Sequence, residues 1–114
     1  MPTHPFAISD QLIDDTLCTA LEGGITSWAD SATPDVWPEG VKYASDAVTK
    51  GATLVIVDDE GNSYRLDRAA MVRGIRRYCK EFHTTPAGID DDPVDASGAD
   101  AIVQYAVFGE LVYA

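Results

Sequence analysis

Residues 52–66, ATLVIVDDEGNSYRL, decide the fold of this 114-residue chain. Residues 52–58 are dense in the β-branched side chains that favour strands. The Asp, Gly and Asn residues of DDEGNS favour a turn, and SYRL returns as the partner strand. The stretch therefore predicts an antiparallel β-hairpin around which the rest of the chain packs.

Upstream of the hairpin, the sequence predicts a helix over about residues 10–22. Ser9 is a suitable N-cap, and apolar side chains recur at helical spacing behind it. Acidic and polar side chains take the other face: Asp14, Asp15, Thr19 and Glu22. We expect Gly23 to end this helix in the left-handed conformation.

Two further helices are predicted downstream. Asp67 caps a helix that runs to about Phe82, with an apolar seam of Val72, Ile75, Cys79 and Phe82. Either Asp95 or Ser97 caps a third helix through about Phe108, which Gly109 ends.

The connecting segments are less regular. Residues 25–29 are predicted as a short strand, and the turn-rich residues 30–40 and 83–95 as loops. Residues 41–48 fit either an edge strand or a helical turn closed by Gly51. The whole chain, residues 1–114, is predicted to be a single small α+β domain with three helices packed on a short antiparallel sheet.

Charge is the strongest global signal. Nineteen Asp and Glu against eight Lys and Arg give a net charge of −11. Such a balance disfavours direct binding to nucleic acid or to an anionic membrane, and favours basic protein partners. Six of the eight basic residues fall within residues 65–80, so the surface is predicted to be electrically two-sided. Because no secretion signal or bilayer-spanning segment is recognised, we expect a cytoplasmic protein.

Neither a metal site nor a catalytic constellation is recognised. The two histidines are too scattered for zinc, the acidic run at residues 90–92 fails the EF-hand spacing, and we expect no cofactor. Cys18 and Cys79 are interpreted as two buried thiols. No serine elbow, phosphate-binding glycine loop or H-E-x-x-H motif is present.

A basic stripe is the first candidate binding surface. Arg73, Arg76, Arg77 and Lys80 share one face of the second helix by their spacing. Arginine matches the geometry of phosphate and carboxylate, so this face could hold a phosphorylated small molecule or an acidic patch. The alternative is a solvated face paired with the protein's own carboxylates.

The third helix is apolar almost all the way round. Such a helix is either central in the core or covered by another subunit, so a homo-oligomer formed through this helix is one of the alternatives. Gln104 and Tyr105 lie on it as candidate binding residues. A buried Gln104 would need up to four hydrogen-bond partners from a pocket, a ligand or a dimer mate, whereas an exposed one would need none.

Gly24, Trp28 and Trp37 complete the candidate surface. If Gly23 ends the first helix, Gly24 remains to allow a sharp turn or a close backbone approach. We expect Trp28 to close the core over the third helix, with Gly24, Trp28 and the Gln104–Tyr105 side as the wall of any pocket. Trp37 is harder to bury and is the better candidate for a contact surface.

The segment LCTALEGGITSW at residues 17–28, together with DAIVQYAVFGELVYA at residues 100–114, resembles a family of small acidic proteins of unknown function. Members are encoded by bacteriophages, prophages and bacterial genomes, and the resemblance covers nearly the whole chain. It implies an accessory protein of a mobile element, where stoichiometric interference with host systems is a common role. It transfers no catalytic residues.

Two classes of function follow. The first is a non-enzymatic counter-defence inhibitor that mimics nucleic acid and occupies a host protein through its acidic face, or in a variant form sequesters a small phosphorylated signal. The second is a small carboxylate-dependent enzyme that acts on nucleotides.

Overall fold

A three-stranded antiparallel sheet forms the centre of the fold in a computed structural model that describes residues 6–113. The strands follow the order of the chain: β1 is Ala29–Pro34, β2 is Leu54–Asp58 and β3 is Ser63–Leu66. Leu54 pairs with Leu66 and Val57 with Ser63, which confirms the predicted hairpin.

One face of the sheet is buried against the helices. Along β2, Leu54, Ile56 and Asp58 are buried while Val55 and Val57 are only half-buried, as expected where alternate side chains point to opposite faces. Four α-helices lie within residues 6–113: α1 (Asp10–Thr19), α2 (Arg68–Glu81), α3 (Pro86–Asp91) and α4 (Ala96–Phe108). The predicted α+β class is confirmed.

The two downstream helices begin at their predicted caps, whereas Phe82, expected in the apolar seam of the second helix, is exposed at the end of α2. The Asp67 side chain accepts a hydrogen bond from the Ala70 amide and caps α2, and Asp95 caps α4 through the Gly98 amide. Gly109 ends α4 in the left-handed conformation with a φ of 76°. A Cβ atom at Gly74 of α2 would lie 2.6 Å from the Ile102 carbonyl oxygen of α4. These two helices therefore pack with their backbones in close approach.

The end of the first helix differs from its prediction. The chain continues from α1 through a π-helical turn, Ala20–Gly24, and a 3-10 turn, Ile25–Ser27. Gly23 does not have a positive φ, so the expected left-handed terminator is wrong. The Gly24 backbone packs against α4, and this contact determines the path of the chain here. Because α4 is far away in the sequence, residues near the turn could not predict the contact.

The strand expected at residues 25–29 is also wrong. Residues 29–34, mostly placed in the predicted loop, form β1 instead and pair with β2. As an edge strand, β1 keeps one row of side chains exposed, so it accommodates the Asp, Ser and Thr residues that suggested a loop. Pro34 has no backbone N–H group to donate, which is tolerated at the end of an edge strand.

Two connections are more helical than their composition suggests. Residues 86–91 of the predicted 83–95 loop form α3, in which the Thr85 hydroxyl caps the first turn and Pro86 occupies the first position. For residues 41–48, the helical alternative is correct. Two 3-10 turns, Ala44–Asp46 and Val48–Lys50, are closed by Gly51 with a φ of 100°.

Candidate functional site

An open groove lies between the outer face of α1, the π-helical turn and the Ala44–Asp46 turn. Its cavity volume is about 580 Å³. Four of its described lining residues are carboxylates and none is Lys or Arg, so we call it the acidic groove. The carboxylates are Asp14, Asp15, Glu22 and Asp46, and the other lining residues are Gln11, Cys18, Leu21, Ala32, Tyr43, Ala44 and Ser45. The groove therefore combines negative charge with a partly apolar surface.

The Asp14 and Asp15 carboxylates of the acidic groove are held by neutral donors. The Thr49 hydroxyl donates to Asp14 over 2.7 Å, and the Gln11 amide donates to Asp15 over 2.7 Å. Within residues 6–113, none of the four groove carboxylates forms an ion pair. Their negative charge therefore remains available to a cationic ligand.

Burial and neighbouring negative charges act together on Asp14. Partial burial raises the pKa of the Asp14 carboxyl above its ordinary value. The Thr49 hydrogen bond opposes this rise, and the negative charges of Asp46, Asp10 and Asp15 add to it. A bound cation would relieve this repulsion.

Two large aromatic side chains are exposed on the connection between β1 and β2. Tyr43 lines the groove and is 68% exposed, and Trp37, on the same connection, is 49% exposed. Asp35 anchors the start of this connection through the Val36 and Thr53 amides, at 2.8 and 3.0 Å, and an ion pair with Arg65 at 3.1 Å. The backbone bonds from Thr53 and Val36, with the Arg65 charge, lower the pKa of Asp35 and keep this anchor ionised.

The predicted basic stripe is not a uniform free surface. Arg77 donates to Glu81 over 2.9 Å and lies over the Tyr105 ring at 5.3 Å, and Arg76 donates to the Phe6 carbonyl over 3.4 Å. Arg73 is exposed and makes no ion pair within residues 6–113. Arg76 and Lys80 do line one shallow depression of about 250 Å³.

Gln104 is 1% exposed, and its own chain satisfies it completely. Its amide nitrogen donates to Asp100 over 3.0 Å and to the Tyr113 carbonyl over 3.2 Å. Its carbonyl oxygen accepts from the Val112 and Tyr113 amides, both at 2.8 Å. The four partners predicted for a buried glutamine therefore come from α4 and from the segment that follows it.

Gly24 and Trp28 lie against α4 and fill the space beside it. A Cβ atom at Gly24 would lie 2.7 Å from the Ala96 carbonyl oxygen. Trp28 is 2% exposed, donates its indole N–H to Asp100 over 2.8 Å and stacks on Tyr113 with ring centroids 5.1 Å apart. The expectation that Trp28 closes the core over the third helix is confirmed.

Tyr105 and the two cysteines have distinct environments. Tyr105 is buried beneath Arg77, and α4 is buried by its own chain over residues 101–105. Cys79 is buried as expected, whereas Cys18 is exposed in the acidic groove, so that part of the expectation is wrong. Desolvation and the Glu22 carboxylate raise the pKa of the Cys18 thiol, which disfavours the nucleophilic thiolate.

The sequence carried only part of the signal for the acidic groove. Asp14, Asp15 and Glu22 fall on the polar face predicted for the first helix, so three of the four carboxylates share a recognisable pattern. Asp46 is brought to them by a 3-10 turn from a segment whose structure was ambiguous in sequence. Nothing in the local pattern connects the two segments.

No group of three or more His, Cys, Asp or Glu side chains within residues 6–113 is placed so that it could hold a metal ion. None of the helices described there has the length and hydrophobicity of a bilayer span.

Comparisons of the chain with protein-family models, with curated proteins and with solved structures found no match.

Proposed function

We propose that this protein is a non-enzymatic binding protein that holds a basic segment of a partner protein in its acidic groove. The observation that carries the proposal is the set of four carboxylates that surround the partly apolar groove without an ion pair in residues 6–113. The net charge of −11 adds a long-range attraction for basic partners.

The groove suits arginine and lysine side chains in particular. Carboxylates accept the paired N–H groups of a guanidinium, and the exposed Tyr43 ring offers a face to the same cation. A surface that normally binds nucleic-acid phosphates has the same requirement for negative charge. Occupation of such a surface would make this protein a stoichiometric inhibitor of a nucleic-acid-binding protein by mimicry.

The biological setting of this proposal comes from the resemblance to phage and prophage proteins. In that setting the partner is a host protein in the cytoplasm, and the inhibitor acts as a counter-defence factor. The proposal needs neither a cofactor nor a direct contact with nucleic acid or membrane.

A peptide titration tests the groove. The probe is a short peptide of alternating Arg and Gly, with a Gln-for-Arg peptide as its neutral control, followed by amide chemical shifts. We expect shifts in α1 and in residues 44–46, and at least tenfold weaker binding when the salt concentration rises from about 50 to about 500 mM, because the Debye length shortens.

A matched pair of variants separates the groove from the net charge. Asp15→Asn/Glu22→Gln removes two exposed groove carboxylates, and Asp90→Asn/Asp91→Asn removes two exposed carboxylates of α3. We expect about tenfold weaker binding for the first pair and a change below about threefold for the second. Equal weakening by both pairs, or binding that salt does not change, would overturn the proposal.

A second candidate function uses the basic face of α2. The depression lined by Arg76, Lys80 and Thr84 supports sequestration of a small phosphorylated ligand. Incubation with a nucleotide panel, followed by thermal shift and mass spectrometry, tests this. Stabilisation that Arg76→Glu abolishes supports sequestration, no stabilisation excludes it, and turnover of a nucleotide would instead support the carboxylate-dependent enzyme.

A further inference from the structure

A second cavity, separate from the acidic groove, lies where the C-terminal end of α2 meets α4 and the segment after it. Its volume is about 320 Å³, which is at the lower end of small-molecule sites. We call it the aromatic cleft and define it by its lining: Tyr78, Phe82, Asp95, Ser97, Gly98, Asp100, Ala101, Gln104, Leu111 and Tyr113. Among residues 6–113, no residue lines both cavities.

Three aromatic rings line this cleft. Tyr78 and Phe82 stack with ring centroids 4.4 Å apart and an interplanar angle of 19°, yet Phe82 remains 52% exposed. Tyr113 is fixed by its stacking on Trp28. Leu111 is also exposed, so the lining presents apolar surface to solvent on two sides. Aromatic faces attract cations as well as apolar groups.

A fixed carboxylate lies among these rings. One oxygen of Asp100, Oδ1, accepts from the Trp28 indole at 2.8 Å and from the Gln104 amide at 3.0 Å. Its second oxygen, Oδ2, has no hydrogen-bond partner within residues 6–113. Two neutral donors thus hold Asp100 in one orientation without neutralising its charge.

The remaining lining residues that the structure describes add negative charge. Asp95 caps α4 through one carboxylate oxygen and contributes a second carboxylate to the cleft. The described lining contains no Lys or Arg. An anionic ligand would therefore meet repulsion here, and a neutral apolar ligand would leave the Asp100 charge unpaired.

We propose that the aromatic cleft binds a small organic cation, in which an amidinium, guanidinium or ammonium group is joined to a flat apolar stem. The cation pairs with the free oxygen of Asp100, and the stem lies against Tyr78, Phe82 and Tyr113. Aromatic walls with a carboxylate at their base are a general arrangement for such cations.

Titration with benzamidine tests the site, with benzoate and benzyl alcohol as anionic and neutral ligands of the same ring. Chemical shifts of the Trp28 indole N–H and the Gln104 side-chain amide report on it directly, because both groups bind Asp100. We expect benzamidine to move both signals with saturation. At the same concentrations, we expect the two control ligands to bind at least tenfold more weakly.

Three variants distinguish the carboxylate from the rings. Asp100→Asn keeps an acceptor for Trp28 and should weaken benzamidine binding at least tenfold. Phe82→Ala changes an exposed ring and should weaken it severalfold without loss of folding. Glu39→Gln changes the charge equally at an exposed residue that is not part of the described lining, and should leave affinity within about twofold. If Asp100→Asn does not fold, the comparison of benzamidine with benzoate and benzyl alcohol tests the charge, and Phe82→Ala tests the rings.

Several outcomes overturn the proposal. One is equal binding of benzyl alcohol or benzoate, which would show a site without preference for cations. Another is that the benzamidine shifts fall in the acidic groove, or that saturation is absent. Asp15→Asn/Glu22→Gln, which changes the acidic groove, should bind benzamidine with the affinity of the wild type. The proposal for the aromatic cleft can therefore be tested even if the basic-peptide proposal fails.

Discussion

Adjacent glycines can have opposite constraints, as Gly23 and Gly24 show. A Cβ atom at Gly24 would lie 2.7 Å from a carbonyl oxygen and 3.2 Å from an amide nitrogen of α4, and backbone atoms cannot move aside cheaply. A Cβ atom at Gly23 would meet only Ala96 at an ordinary 3.9 Å. Glycine is required at position 24 because the chain passes close to the backbone of α4, and not because it turns there.

Alanine substitution separates the two positions. We expect Gly24→Ala to lower the free energy of unfolding by about 1–3 kcal/mol through overpacking against α4. Gly23→Ala, its matched control, should be neutral or stabilising by up to about 1 kcal/mol, because it restricts the unfolded chain. Urea unfolding of both variants measures this, and equal effects would contradict the packing explanation.

Gln104 is the second residue whose role depends on distant partners. Gln104→Leu keeps the approximate volume but removes all four hydrogen bonds to Asp100 and to residues 112–113. We expect a loss of about 2–3 kcal/mol in unfolding free energy, since polar groups lose their buried partner.

Hydrogen exchange localises this effect. The amides of Val112 and Tyr113 should exchange faster in Gln104→Leu than in the wild type, while amides of β2 should follow only the change in global stability. Gln11→Leu, at an exposed site, is the control and should change stability by less than about 0.5 kcal/mol. Unchanged exchange at residues 112–113 would show that Gln104 does not hold this segment.

At the scale of elements, the β2–β3 hairpin is closed by one buried carboxylate. Burial alone would raise the pKa of Asp58. Hydrogen bonds from the Asn62 side chain and amide, the Tyr64 hydroxyl and the Glu60 amide outweigh burial and lower it. Because the folded pKa lies below the unfolded value of about 3.9, this contribution to stability is complete above that value. It is lost as the pH falls through the folded pKa.

Asp58→Asn should therefore remove part of the acid sensitivity. We expect the variant to be less stable than the wild type at neutral pH, and the difference to shrink as the pH falls below about 4. Urea unfolding between neutral and strongly acidic pH measures both curves. Asp59→Asn, an exposed neighbour in the same turn, is the control, and a difference that does not change with pH would contradict this role for Asp58.

The sequence predicted those elements that carry their own boundary signals. The hairpin has a dense β-branched run and a turn, and α2 and α4 have Asp caps whose hydrogen bonds are formed as expected. β1 was missed because pairing with β2, and not its own composition, makes residues 29–34 extended. The π-helical turn was missed because the contact of Gly24 with α4 spans a long separation in sequence.

The candidate sites were predictable to a smaller extent. The sequence placed an exposed Trp37 and a buried Trp28 correctly, and it identified the acidic face of the first helix. It could not connect Asp46 to that face, nor could it foresee that residues 112–113 satisfy Gln104. Both contacts depend on how elements pack, which periodicity along one segment does not contain.

At the scale of the whole molecule, excess negative charge opposes folding. The radius of gyration is 13.3 Å, and the chain carries a net charge of −11. At about 10 mM salt the Debye length of roughly 30 Å exceeds this radius, so carboxylates across the entire molecule repel one another. Salt should therefore stabilise the protein.

We expect the melting temperature to rise by roughly 3–5 °C between about 10 and about 300 mM NaCl, which corresponds to about 1 kcal/mol. Asp15→Asn/Glu22→Gln should start from a higher melting temperature and show a smaller rise, because fewer carboxylates repel. Scanning calorimetry at matched pH measures both. A melting temperature that falls with salt would indicate that the ion pairs found within residues 6–113 outweigh the repulsion.

The contrast between the two tryptophans makes the protein its own optical probe. Trp28, stacked and enclosed, emits from an apolar environment that exists only in the folded chain, whereas Trp37 emits from a surface that water and iodide can reach. Trp37→Phe leaves a fluorophore for folding, and Trp28→Phe leaves one for contacts at the connection between β1 and β2. Folding and partner binding can therefore be followed by light in separate variants, without an attached dye.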